Sequence, residues 1–123
     1  MSGLLVWAAV GLLGGVGAVA RVVVGSLVTE RSGGRFPLGT LTVNLSGAAA
    51  LGLLSGLALD GDAMLVVGTA LVGGYTTFST WMLESWRLAE AGAGRLLALN
   101  LAGSVALGVA AIVLGQALGG ALG

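Results

Sequence analysis

The chain has 123 residues, 57% of them hydrophobic and 8% charged, with a net charge of zero and a mean hydropathy of +1.08. Such a composition excludes a soluble domain, and the balanced charge offers no basic surface for nucleic acid. Cysteine and histidine are both absent, which excludes disulfides and thiolate or imidazole metal sites.

Uncharged stretches cover residues 2–20, 36–59, 63–83 and 96–123. Each reaches or nearly reaches the ~20 residues that span a ~30 Å hydrocarbon core. The expected fold is an all-α membrane protein: a single transmembrane domain over residues 1–123 with four transmembrane helices, the third of them broken. The 24 glycines suit helices that approach closely. GxxxG spacings fall at Gly11/Gly15, Gly52/Gly56 and Gly115/Gly119, but in so glycine-rich a chain they do not say which pairs meet.

The first helix is expected from about Gly3 to Val28. Ala18-Val19-Ala20 resembles a signal cleavage site, yet no basic segment precedes it, so a retained helix is expected. Arg21 then lies about a turn and a half from the helix end. It either snorkels to the interface or acts as a buried cation, holding broken backbone together or raising the local potential for anions. Residues 29–36 form a polar loop, and Pro37 suits the first turn of the second helix.

On the second helix Thr40, Asn44 and Gly47 share one face. Asn44 can make an interhelical hydrogen bond or donate its NH2 to an anion; the spacing does not choose between them. Asp60-Gly61-Asp62 turn the chain into the third helix. There, Gly73-Gly74-Tyr75-Thr76-Thr77-Phe78-Ser79-Thr80-Trp81 crowds two glycines, three threonines and a serine into nine residues. Glycine weakens a helix, while serine and threonine offer its backbone competing partners. A plain glycine kink is one outcome, but the continuation into TTFST favours a true break. In a membrane, such breaks tend to mark ion sites. Phe78 and Trp81 share a face, and Thr77, Thr80 and Glu84 a neighbouring stripe. Glu84 and Arg87 are expected as a solvated pair near the helix exit, before a loop at residues 89–95. The fourth helix carries a small or polar stripe at Asn100, Ser104, Gly108 and Gly115. Four thin helices scarcely enclose a pathway alone, so a dimer is expected.

At residues 14–21 (GGVGAVAR), 37–47 (PLGTLTVNLSG) and 73–84 (GGYTTFSTWMLE) the chain resembles the Fluc (CrcB) family of fluoride channels. The resemblance implies an antiparallel dual-topology dimer in the cell inner (plasma) membrane, multi-pass and in contact with membrane lipid. It implies two fluoride pathways along the subunit interfaces. It also implies a structural sodium ion at the dimer centre, held by the backbone carbonyls of Gly73 and Thr76. Asn44 would donate to fluoride, Phe78 and Trp81 would offer ring edges, and Thr40 and Ser104 would belong to a hydroxyl track beside Thr77 and Thr80. Glu84 would lie near one pore mouth. The chain departs from the family pattern at Trp81, where a second phenylalanine is usual, and at Asn100, where a tyrosine is usual.

No nucleophile–base pair and no phosphate loop is present, so an enzyme is not expected. A small dual-topology proton-coupled exporter is the first alternative, but it needs a mid-membrane carboxylate and the first helix has none. A non-conducting structural membrane subunit is the second. Arg31, Arg35, Arg87 and Arg95 fall in loops on one side, whereas the termini and residues 60–62 carry no arginine or lysine. The positive-inside rule therefore prefers both termini outside. Antiparallel pairing then requires either that a second copy override this preference or that a homologous subunit supply the other orientation. The homodimer is the favoured expectation, because one chain carries both polar stripes.

Overall fold

The computed structural model describes residues 2–123, and all its regular elements among them are helical. Four segments are long and apolar enough to cross a membrane: Gly3–Ser32, Leu38–Gly56, Gly61–Glu90 and Gly94–Leu122. The third is interrupted. The helices are called α1 (Gly3–Ser32), α2 (Leu38–Gly56), α3 (residues 61–75), α4 (Ser79–Glu90) and α5 (Gly94–Leu122).

Ser2 caps α1, its hydroxyl accepting from the Leu5 N–H at 3.3 Å. The helix runs four residues past its expected end at Val28. Thr29 to Ser32 are polar, but polarity does not stop a helix, and Glu30 and Arg31 are good helix formers. The stop comes at Gly33 and Gly34, both left-handed with φ of +82° and +74°. Arg21 consequently sits about three turns from the end of α1. Pro37 occupies the position just before α2, and its carbonyl accepts from Leu41 N–H at 3.1 Å. Asp60 caps α3 through Oδ1, which accepts from Ala63 N–H at 2.8 Å. Met64–Val72 within α3 and Leu99–Gly103 within α5 are π-helical. The last connection is shorter than expected, only residues 91–93, with Gly92 at φ +71°.

The helices are held together largely by missing side chains. A Cβ on Gly52 would strike the Ile112 carbonyl, and one on Gly119 the Leu53 carbonyl. The glycine pairs Gly52/Gly56 and Gly115/Gly119 thus line the same seam, and α2 and α5 run side by side in one direction. Gly17 does the same for α1 against α3, where a Cβ would meet Leu71 oxygen. Gly11 and Gly15, by contrast, face open space. Few large apolar residues are buried, and Leu12, Val16, Val19 and Val23 of α1 are exposed. Apolar residues turned outward suit a chain whose surroundings are hydrocarbon or another subunit.

Candidate functional site

The break between α3 and α4 lies at residues 76–78 rather than at the glycine pair. Gly73 and Gly74 are helical, and α3 ends only at Tyr75. Gly74 serves packing instead, since a Cβ there would collide with the Gly14 carbonyl of α1. Thr76 then turns extended (φ −82°, ψ 161°), and the chain regains helical angles at Phe78 (φ −88°, ψ −42°).

Two side chains take over the backbone groups that the break releases. Asn44 Nδ2 donates to the Thr77 carbonyl at 2.9 Å, and Asn44 Oδ1 accepts from the Thr77 N–H at 2.8 Å. Thr77 Oγ1 in turn accepts from the Thr80 N–H at 3.2 Å and so caps α4. In an unbroken helix, Thr77 N–H would bond to the Gly73 carbonyl and Thr80 N–H to the Thr76 carbonyl. Both donors are diverted, which leaves the Gly73 and Thr76 carbonyls without their ordinary partners. Gly73 is also exposed.

Asn44 therefore makes an interhelical bond, and one of its two amide protons remains unspent. A second tie lies two residues further along α2. Ser46 hydroxyl donates to the Thr42 carbonyl at 2.7 Å, and the Tyr75 hydroxyl lies 2.9 Å from Ser46 Oγ. With the serine proton turned to its own helix, Tyr75 is the donor. Neither Ser46 nor Tyr75 is singled out by sequence, because a serine on α2 and a tyrosine 29 residues later show no periodic relation.

Four of the residues singled out by sequence meet around one cavity of about 570 Å3: Arg21, Thr40, Thr77 and Thr80. Arg21 is half-buried, and its Nε is buried without a hydrogen-bond partner. It does not hold the broken backbone, which Asn44 does. Its position three turns inside α1 makes it a cation on an open groove, which the Glu30 carboxylate also lines nearer the end of α1. Ser104 is half-buried on α5 and does not line the cavity.

Phe78 and Trp81 meet as expected, with ring centroids 5.9 Å apart and planes at 78°. Phe78 is 69% exposed, so within one chain its ring lacks a facing wall. The Trp81 indole N–H donates to the Asn100 main-chain carbonyl at 3.0 Å. Asn100 is 1% exposed, and its Nδ2 donates to Ser85 Oγ at 2.9 Å. The solvated Glu84–Arg87 pair does not form. Glu84 Oε1 is buried with no partner, and Glu84 lines a second cavity of about 200 Å3 with Arg35 and Arg87. That cavity also includes the α1–α2 loop, so Glu84 stands at the loop end of the bundle and not at mid-membrane.

The family model described as CrcB-like protein, Camphor Resistance (CrcB), matches residues 8–116. The chain belongs to the CrcB family. Among its curated relatives, a protein of Mycolicibacterium paratuberculosis named fluoride-specific ion channel FluC 2 is 56% identical over 118 residues, covering 96% of this chain and 97% of its own. A FluC 2 of Mycobacterium tuberculosis is 53% identical over 111 residues, covering 90% and 88%. A fluoride-specific ion channel FluC 1 of Symbiobacterium thermophilum is 43% identical over 119 residues, covering 92% and 96%. These CrcB relatives bear the names of ion channels, not of enzymes.

Proposed function

We propose that this chain is a subunit of a passive, fluoride-selective channel of the plasma membrane. Fluoride accumulates in cells when neutral HF enters from an acidic exterior and ionises in the near-neutral cytoplasm. An open anion pathway lets it leave down its electrochemical gradient, which gives resistance without an energy source. The names of the relatives supply the ion. The observation that carries the reading is the break itself, which sets an aromatic ring, a spare amide proton and a helix N-terminus together along the third apolar span.

Fluoride is small and strongly hydrated, so a narrow file of weak donors must replace its water without trapping it. The spare Asn44 N–H, the hydroxyls of Thr40, Thr77 and Thr80, and the positive edge of Phe78 are donors of that kind. Ser104 of α5 extends the hydroxyl track. Arg21 raises the potential in its part of the adjoining groove, with Glu30 opposing it towards the end of α1, while Glu84 lies at a pore mouth. The exposure of Phe78 supports a pathway completed by a second subunit in antiparallel orientation, another copy of this chain or a homologous one.

A structural sodium ion belongs to the same proposal. The Gly73 and Thr76 carbonyls, deprived of their helix partners, are uncharged hard oxygens of the type that suits a hard monovalent cation. Among the described residues no group of three or more carboxylates could hold a metal instead. Two carbonyls are too few alone, so a second subunit would contribute the rest. The ion would supply a fixed positive charge that satisfies these oxygens and ties the two breaks together.

The test is purified protein in liposomes loaded with either fluoride or chloride. Fluoride is expected to leave and chloride to stay. Retention of both, with and without a homologous second subunit, would overturn the proposal.

A further inference from the structure

Trp81 is held at both ends. Its indole N–H, which must find an acceptor or be stranded in hydrocarbon, donates to the Asn100 carbonyl on α5. Its own carbonyl accepts from Ser85 Oγ at 2.8 Å, and that oxygen accepts from Asn100 Nδ2 at 2.9 Å. The three hydrogen bonds close a circuit from Trp81 main chain through Ser85 and Asn100 back to the indole. Ser85 is 5% exposed and Asn100 1%, so water does not compete for these groups. Phe78, perpendicular to the indole and 69% exposed, has no such tether.

We propose that Trp81, Ser85 and Asn100 form one positioning unit that fixes a wall of the anion path and leaves Phe78 as the ring free to turn its edge to the ion. Trp81 contributes surface rather than a hydrogen bond, because its single donor is already spent on α5. Ser85 and Asn100 act through Trp81 and do not touch the anion. The two departures from the family pattern, at Trp81 and Asn100, meet in this unit: the indole N–H uses the main-chain carbonyl of residue 100, and the Asn100 side chain holds Ser85, which bonds the Trp81 main-chain carbonyl. The unit rests on the fluoride-channel reading for its effect on transport but not for its effect on the indole.

The experiment therefore reads both. In liposomes, W81F, S85A and N100L are each expected to slow fluoride efflux about three- to tenfold, the equivalent of one interhelical hydrogen bond in a bilayer. Because the residues act as a unit, W81F/N100L and W81F/S85A should lose less than about twofold beyond W81F alone. Losses that multiply would overturn the proposal. In a W7F/W86F background Trp81 is the sole indole. S85A or N100L should lower its fluorescence anisotropy, and unchanged anisotropy in both would also overturn the unit. S85A removes a single oxygen and serves where N100L fails to fold. If the unmodified protein passes no fluoride, with or without a homologous second subunit, the channel reading fails and the anisotropy alone decides the unit.

Discussion

Helix α2 is gripped twice, by opposite means. Towards its C-terminal end Gly52 and Gly56 lie against Gly115 and Gly119 of α5, with backbone against backbone and no polar side chain between them. Towards its N-terminal half Asn44 and Ser46 reach out to the α3–α4 break through hydrogen bonds. In lipid no hydrophobic force pulls helices together, so close packing and hydrogen bonding must do so between them. The glycine seam tolerates no added volume, yet any smooth surface would serve it. The polar grip tolerates no loss of its donors and acceptors, because irregular backbone at membrane depth has no water to fall back on. The seam gives the fold its rigidity, and the grip gives the break its shape.

Four substitutions separate these contributions. The largest loss is expected from Gly119→Leu, whose side chain must start inside the Leu53 carbonyl. Overpacking of this kind costs about 1–3 kcal/mol where neighbours can yield, and backbone cannot. The protein should lose its monodisperse peak in detergent chromatography. Asn44→Leu comes next. It strands both polar groups of Thr77, at about 1–3 kcal/mol each, and should lower the melting temperature and abolish fluoride efflux together. Tyr75→Phe removes a single interhelical bond, worth about 0.6 kcal/mol in a bilayer. A small drop in melting temperature with efflux within about threefold of the parent is expected. Phe78→Ile should leave the melting temperature unchanged, since the ring is largely exposed, yet stop fluoride efflux. Unaltered efflux would remove Phe78 from the pathway and confine the proposed function to the polar grip.

The four spans are legible in sequence because hydrocarbon demands long uncharged runs, and nothing else in the chain supplies them. The break is legible as a region but not in detail. Gly73-Gly74 attract attention as helix breakers, yet in a bundle this tight the absence of a Cβ at Gly74 serves packing against Gly14, and the helix continues. The true break falls where Asn44, Thr76 and Thr77 offer the backbone other partners. Of the candidate residues, Arg21, Thr40 and Thr80 converge from α1, α2 and α4 on the cavity that Thr77 of the break also lines. The Trp81–Asn100 bond is hidden from sequence because it depends on how α4 and α5 are rotated against each other, which no local pattern records.

The π-helical stretch Leu99–Gly103 carries a further consequence. A π turn takes up about one residue more than an α turn, so it sets the angular phase between the parts of α5 before and after it. Deleting a single residue there would leave hydropathy and composition nearly untouched. It would nevertheless swing everything beyond it by about 100° and carry Gly115 and Gly119 off the seam with α2. At this point the chain is constrained in its count of residues more tightly than in their kind, and a gap of one should be far harder for evolution to place than an exchange of one apolar residue for another.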